Sequence, residues 1–358
     1  MAYLKSLLPP GCLFMAVVKA NAYGHGDAPV SRAALSAGAD CLGVALVEEA
    51  AALRSNGFSC PIYLLFEPPA DAAGSALDNA VICSVYTPEL AEALSREAVQ
   101  RGRVAPVHIK VDTGMRRVGV HPESVEEFAG LLAGLTGISV EGIYTHFAVA
   151  TEPDDPFTEK QIDLFEKAAA GAEKVLGRSL MKHAANSAGV LAFPSSHFDM
   201  VRVGIAMYGL PPSESFREIA GIKPALSLEG RVAFVKKVEA GEGISYGLTY
   251  APSEVAYIAT LPIGYADGFS RILSGRAEVV IGGTRRPVVG TICMDLSMVE
   301  LGPEPVPPGT RFVIIGSEGG EEITVDEVAE RLGTINYEVV CMISSRVPRV
   351  YVEGGASG

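Results

Sequence analysis

Eight short apolar runs punctuate the chain up to residue 203, at 13–18, 41–46, 61–66, 81–85, 106–111, 139–145, 180–183 and 199–203, with segments of helical spacing between them. In residues 87–94 a cap-type Thr87 and a Pro88 at the first turn announce a helix, and residues 155–176 read as a longer one opened by Pro156. Strand and helix alternating eight times imply a closed parallel barrel more readily than an open sheet. Enzymes of that architecture carry their chemistry at the C-terminal ends of the strands. Polar residues gather there: Lys19 and Tyr23 after the first run, Lys110 and Asp112 closing the fifth, His146 after the sixth, Asn186 and Ser187 after the seventh, and Arg202 at the end of the eighth.

After Pro211-Pro212 and a polar connector the composition changes. From Ala225 onward, β-branched and alternating stretches at 231–238, 255–262, 278–281 and 311–315 are separated by turns such as Gly282-Gly283. One helix, over residues 324–332, interrupts them, with Thr324 as cap and Gly333 as stop. The expected fold is α/β: an N-terminal (β/α)8 TIM barrel over residues 1–215, then a mostly-β C-terminal domain over residues 216–358. A net charge of −13 argues against a nucleic-acid partner, because phosphate binding needs a basic face, and leaves small molecules. No run approaches the roughly 18 apolar residues of a membrane span, and the apolar stretch within residues 1–10 is too short for a signal peptide. The six scattered cysteines (Cys12, Cys41, Cys60, Cys83, Cys293, Cys341) include no Cys-x-x-Cys pair and read as buried, reduced thiols of a cytoplasmic protein. No metal-ligand pattern is expected.

The sharpest chemical signal lies in residues 16–26, where an apolar run delivers Lys19 into a turn of small and glycine residues. A lysine at the end of a buried strand loses part of its solvation, which lowers its pKa and frees the nucleophilic amine that a Schiff base needs. On the residues alone, a solvated strand-end lysine is the commoner outcome.

Residues 16–26 also resemble, without a gap, the cofactor-lysine motif of the bacterial alanine racemases, which carry pyridoxal 5'-phosphate on that lysine. The resemblance extends from about residue 11 to residue 352. It is carried by residues 110–115 (Lys110 to Met115), 144–147 (Tyr144 to Phe147), 183–187 (His183 to Ser187) and 202–209 (Arg202 to Gly209), then by Ser245-Tyr246-Gly247, residues 264–268, Cys293-Met294-Asp295 and residues 335–338.

The resemblance implies racemisation by two bases on opposite faces of the cofactor, Lys19 for D-alanine and Tyr246 for L-alanine, with His146 linking Tyr246 to Arg202. Arg202 would face the pyridine nitrogen, where it can only donate a hydrogen bond. Tyr23, Ser187, the amides of Gly204 and Ile205, and Tyr337 would hold the phosphate, with Asn186 beside them. Arg117 would meet the substrate carboxylate, held by a carbamylated Lys110; the other reading of Lys110 is an unmodified amine paired with Asp112. Tyr265, Arg271, Met294, Asp295 and Tyr337 would serve the other subunit's site, so the resemblance implies a head-to-tail homodimer with shared active sites.

Two departures stand out. The family pattern has a further strand and helix ahead of position 1, and Arg116 stands where the family commonly has glycine.

Three other readings compete with alanine racemisation: a racemase for serine or basic amino acids, a fold-related pyridoxal decarboxylase, and a non-catalytic pyridoxal-phosphate carrier. Arg202 and Cys293-Met294-Asp295 speak against the second, and Tyr246 with a whole second domain against the third. The pocket near Met294, Tyr265 and Tyr337 favours a methyl side chain, although one methylene is worth only about 1–3 kcal/mol.

Overall fold

The computed structural model describes residues 1–218 and 221–352. They fall into two compact units, one made of Met1–Ala22 and Gly26–Lys223, the other of Tyr23–His25 and the chain from Pro224 onward.

In the first unit the eight apolar runs are eight parallel strands: β1 (Leu13–Val17), β2 (Cys41–Val44), β3 (Ile62–Leu64), β4 (Cys83–Val85), β5 (Ala105–Lys110), β6 (Ile138–Tyr144), β7 (Met181–His183) and β8 (Met200–Val203). They pair in the orders β3-β2-β1-β8 and β4-β5-β6-β7. The Tyr63–Ile82 bridge joins β3 to the start of β4. The amides of Asp199 and Arg202 bond to the carbonyls of Lys182 and Ala185, 3.0 and 2.9 Å away, and join β8 to β7. The ring is therefore closed, as the eightfold alternation predicts.

The helices fall between the strands, including Pro88–Gln100 and Phe157–Leu176. The Thr87 side chain does not cap the first of these; Glu67 accepts from the amides of Tyr86 and Thr87 and from the Thr87 hydroxyl.

Ordinary barrels fill their interior with layers of branched aliphatic side chains. Here β5 to β8 place His108, Lys110, Tyr144, His183 and Arg202 in the interior, all buried. Tyr144 stacks on His183 with ring centres 4.7 Å apart and donates its hydroxyl to the Leu65 carbonyl at 2.9 Å. Polar groups buried at this density need partners from one another, which makes this half of the barrel the place to look for chemistry.

In the second unit one antiparallel sheet runs β10 (Phe234–Val238), β11 (Ala256–Leu261), β14 (Ser297–Gly302), β13 (Thr284–Val289), β12 (Glu278–Ile281), β15 (Arg311–Glu318) and β16 (Glu321–Ile323), with β9 (Leu228–Arg231) paired to β15. The stretch expected as one strand at 231–238 is two, β9 and β10, in different parts of the sheet. Gly282 and Gly283 (φ 59° and 72°) form the two-residue turn between β12 and β13 that positive φ at both positions requires. Thr324 caps the helix Val325–Leu332 by accepting from the Glu327 amide at 3.0 Å, and Gly333 ends it at φ 75°. A second helix, Asn336–Met342, follows where one alone was expected. Of the six thiols only Cys41 and Cys83 are fully buried, and Cys341 is exposed. Among the described residues no helix is long and apolar enough to cross a membrane.

Candidate active site

Lys19 opens an unusual turn. Ala20, Asn21, Ala22 and Tyr23 all have φ near 53° (53°, 52°, 53° and 53°), a left-handed turn built without glycine. Such residues cost about 1–2 kcal/mol each and persist where their surroundings impose them. Here Glu49 does so: its Oε1 accepts from the Ala20 amide at 2.6 Å, while its Oε2 accepts from the amides of Ala45 and Leu46 at 2.8 and 3.2 Å. Asn21 adds its side-chain oxygen to the Asp27 amide at 3.0 Å.

Three cations share one ring. The Nζ atoms of Lys19 and Lys110 and the guanidinium carbon of Arg117 lie 5.5, 4.9 and 5.3 Å from the centre of Phe66. Lys110 and Arg202 also face Tyr144, at 5.5 and 5.1 Å. Ring faces attract cations and so offset part of the repulsion between them. Burial, then the charges of Arg117, Arg202 and Lys19, push the Lys110 amine down to about 7. Asp112 turns its Oδ1 to the amides of Gly114 and Arg116, 3.0 Å each, and among the described residues no ion pair joins it to Lys110. Lys110, Asp112, Met115, Arg117 and His146 line a small cavity.

Arg202 is fixed on several sides. Its Nη2 donates to the carbonyls of Thr145 (2.7 Å) and Ala184 (2.9 Å) and to His146 Nδ1 (3.3 Å), and its Nη1 donates to His183 Nδ1 (3.0 Å). A guanidinium has no acceptor, so both Nδ1 atoms carry lone pairs and His146 bears its hydrogen on Nε2. Burial and the adjacent Arg202 charge hold His146 well below its ordinary pKa. Burial lowers Arg202 to about 10, still protonated at neutral pH.

Asn186 caps the helix Ser187–Ala192 by accepting from the Gly189 amide at 2.9 Å. Ser187 Oγ accepts from the amides of Gly204 (3.1 Å) and Ala206 (3.3 Å). With both lone pairs engaged, its O–H can only donate, which suits an anion beside the Gly204-Ile205 backbone.

The second unit holds the remaining candidates. Ser245, Gly247 and Leu248 take φ of 66°, 77° and 48°, and the turn they make leaves Tyr246 74 % exposed. Ser245 Oγ donates to the Thr291 carbonyl (2.6 Å) and Thr291 Oγ1 to the Tyr246 carbonyl (2.9 Å), which fixes the turn. Tyr265 and Met294 are joined by backbone bonds of 3.0 Å from Tyr265 to Cys293 and from Ala266 to Met294, and both side chains are exposed. Asp295 pairs with Arg346 at 2.7 Å. Tyr23 and Tyr337 form a ring pair at 6.2 Å, both phenols pushed up by burial and thus neutral donors. Arg271 opens its own short turn, Arg271–Leu273, away from any ion pair among the described residues. Phe66 and Glu49 had no signal in the sequence, because each acts on residues distant along the chain.

Residues 1–212 match the family described as alanine racemase, N-terminal domain, and residues 225–351 match alanine racemase, C-terminal domain. The chain belongs to the alanine racemase family. The alanine racemase of Desulfovibrio desulfuricans is 44 % identical over 357 residues, covering 99 % of this chain and 95 % of that protein. That of Symbiobacterium thermophilum is 49 % identical over 338 residues, 94 % of this chain and 90 % of its own length. Among solved structures, the alanine racemase of Bacillus anthracis with bound L-Ala-P aligns with a TM-score of 0.93 at 41 % identity, covering 99 % of this chain and 92 % of that one. The family's enzymes are pyridoxal-phosphate-dependent isomerases, and this chain is one of them. Its residues suit the cofactor: a strand-end lysine, a donor-only guanidinium and a hydroxyl left to donate beside backbone amides.

Proposed function

We propose that the chain interconverts L-alanine and D-alanine, moving the substrate Cα proton between two bases on opposite faces. The observation that carries this reading is Arg202, a buried guanidinium held by His183, His146 and two carbonyls. Bound pyridoxal phosphate supplies an electron sink for Cα–H cleavage. Arg202 would donate a hydrogen bond to the cofactor without surrendering a proton, which would keep that sink weak and favour return of the proton over side reactions. A carboxylic acid there would suit the competing decarboxylase chemistry.

Lys19 would anchor the cofactor through its amine and would hold or return the proton at Nζ on one face. Tyr246 of a second copy does so on the other, its phenol assisted by the neutral His146 with the Arg202 charge behind it. Arg117 meets the substrate carboxylate with a planar fork of donors, and a carbamylated Lys110 holds Arg117. Ser187 Oγ and the Ile205 amide would bind the phosphate; the Gly204 amide, expected to join them, is already given to Ser187 Oγ at 3.1 Å and so orients that hydroxyl, with Asn186 fixing the helix behind them. Tyr23 and Tyr337 are further phenolic donors; Tyr337, expected to serve the other subunit's site, has its ring centre 6.2 Å from that of Tyr23 in its own chain and is assigned to that chain's phosphate. Met294, Tyr265, Arg271 and Asp295 are presented to the second copy, where Met294 and Tyr265 leave room for a methyl group. This division makes the working form a head-to-tail homodimer. Its setting is the cytoplasm, where D-alanine feeds peptidoglycan synthesis.

The test is to incubate the pyridoxal-phosphate-loaded protein in D2O with L-alanine, L-serine or L-lysine and to measure the D-enantiomer and Cα deuterium. D-alanine should form fastest, with serine slower by about 10- to 200-fold. Carbon dioxide release without D-alanine would replace this reading with the decarboxylase one, and serine turning over as fast as alanine would broaden the substrate.

A further inference from the structure

The barrel interior holds a chain of groups that extends beyond Arg202. Nε2 of His183 lies 2.8 Å from Nδ1 of His108 on β5, and both rings, like the guanidinium, are buried. Arg202 fixes the protons along this chain. His183 Nδ1 accepts from Arg202 Nη1 and so carries a lone pair. A neutral imidazole with a bare Nδ1 has its hydrogen on Nε2. That hydrogen is given to His108 Nδ1, so the hydrogen of His108 sits on its own Nε2. Both rings stay neutral, because burial and the Arg202 charge push His108 down to about 3 and hold His183 well below its ordinary value. The far end of the chain, His108 Nε2–H, is buried with no hydrogen-bond partner among the described residues.

The fold makes specific room for this ring. Gly142 on β6 pairs with His108, and a Cβ there would lie 2.4–2.7 Å from three imidazole atoms. A register irregularity after Val107 brings Gly142, rather than Glu141, opposite the ring. Packing alone would be met better by an aliphatic side chain, which leaves no orphaned donor.

We propose that His108 is a positioning residue for Arg202: by accepting the Nε2 hydrogen of His183, it holds that ring in the one orientation and tautomer that can receive the guanidinium. Without this acceptor the His183 Nε2–H would itself be orphaned. A half-turn of the ring about Cβ–Cγ would then place carbon, not nitrogen, against Arg202. The proposal rests on the assignment of Arg202 to the cofactor ring only for its effect on rate, not for the state of His183.

The test compares His108→Leu with His108→Asn in the pyridoxal-phosphate-loaded protein. Asparagine offers an oxygen near the place of Nδ1, whereas leucine fills space and accepts nothing. Long-range ¹⁵N–¹H spectra of histidine-labelled protein should give His183 a single Nε2–H tautomer in the parent and in His108→Asn, and a mixed or reversed one in His108→Leu. With L-alanine, kcat should fall about tenfold or more in His108→Leu at little changed KM, and recover to within about threefold in His108→Asn. A His183 tautomer unchanged in a folded His108→Leu protein, or equal kcat in the two variants, would overturn the proposal. A parent that fails to racemise alanine would instead strike the functional reading, while the tautomer measurement would still decide the role of His108.

Discussion

Arg116 adopts φ 56°, in the left-handed region, with its amide held by Asp112. A glycine at this position would adopt that conformation without strain, whereas a side chain costs about 1 kcal/mol. Arg116→Gly is therefore expected to raise the unfolding free energy by up to about 1 kcal/mol, read as a higher denaturation midpoint at constant slope. A lower midpoint would mean that the arginine side chain stabilises the turn by more than its strain. At Lys110 the lowered pKa of about 7 leaves a free amine in quantity at neutral pH. Its lone pair can bond to the carbon of carbon dioxide with loss of one proton, turning a crowded cation into an anion beside Arg117. A carbamate signal should appear in ¹³C spectra under labelled bicarbonate, grow as pH rises through 7, and be absent from Lys110→Arg; its absence from the parent would leave Lys110 an unmodified amine.

Among the elements, the start of the helix Pro88–Gln100 was only half legible. Thr87-Pro88 marked its position correctly, but the side chain that satisfies the amides there is Glu67, 20 residues from Thr87 along the chain. Burial raises the Glu67 carboxyl above its ordinary range against the pull of those hydrogen bonds. Glu67→Ala strands two amides and a hydroxyl, and should lower stability by about 2 kcal/mol in chemical denaturation, with Glu67→Gln near half that loss. Equal stability of Glu67→Ala and the parent would show that water replaces the carboxylate at no cost. The helix Asn336–Met342 escaped the sequence reading because it is 7 residues long and its N-cap, Ile335, offers no side-chain acceptor.

For the whole molecule, four histidines are pushed below the ordinary value of 6.5 on folding: His108, His146, His183 and His197. The unfolded chain takes up protons as pH falls through about 6.5 while the folded chain does not, so stability is full above that value and declines below it. The slope should lie between three and four protons, about 4–5 kcal/mol per pH unit at most, between pH 6 and 5, before carboxylates contribute. Urea midpoints that stay level across that window would mean the rings protonate in place. The exposed Tyr246, on its strained turn, leads to a second expectation at this scale. Lys19→Ala and Tyr246→Ala proteins, each inactive, should recover about a quarter of the parental activity when mixed under subunit exchange, because each hybrid dimer keeps one intact site. No recovery would place both residues in the same protomer's site.

The chain of residues alone determined the barrel, because a strand buried on both faces must be apolar along its length, and eight such runs are visible without knowing what they touch. It also determined that Lys19, Lys110, His146, Ser187 and Arg202 lie at or just after strand ends, the end of the barrel where this architecture gathers its chemistry. Only the tertiary structure decided that Phe66 gathers three cations, that Glu49 holds the left-handed turn, and that His108 and His183, 75 residues apart, pass one hydrogen toward the interior. Those interactions depend on ring planes, lone pairs and the direction of single N–H bonds between segments that local sequence leaves independent. They exist only once closure of the barrel brings the strands together.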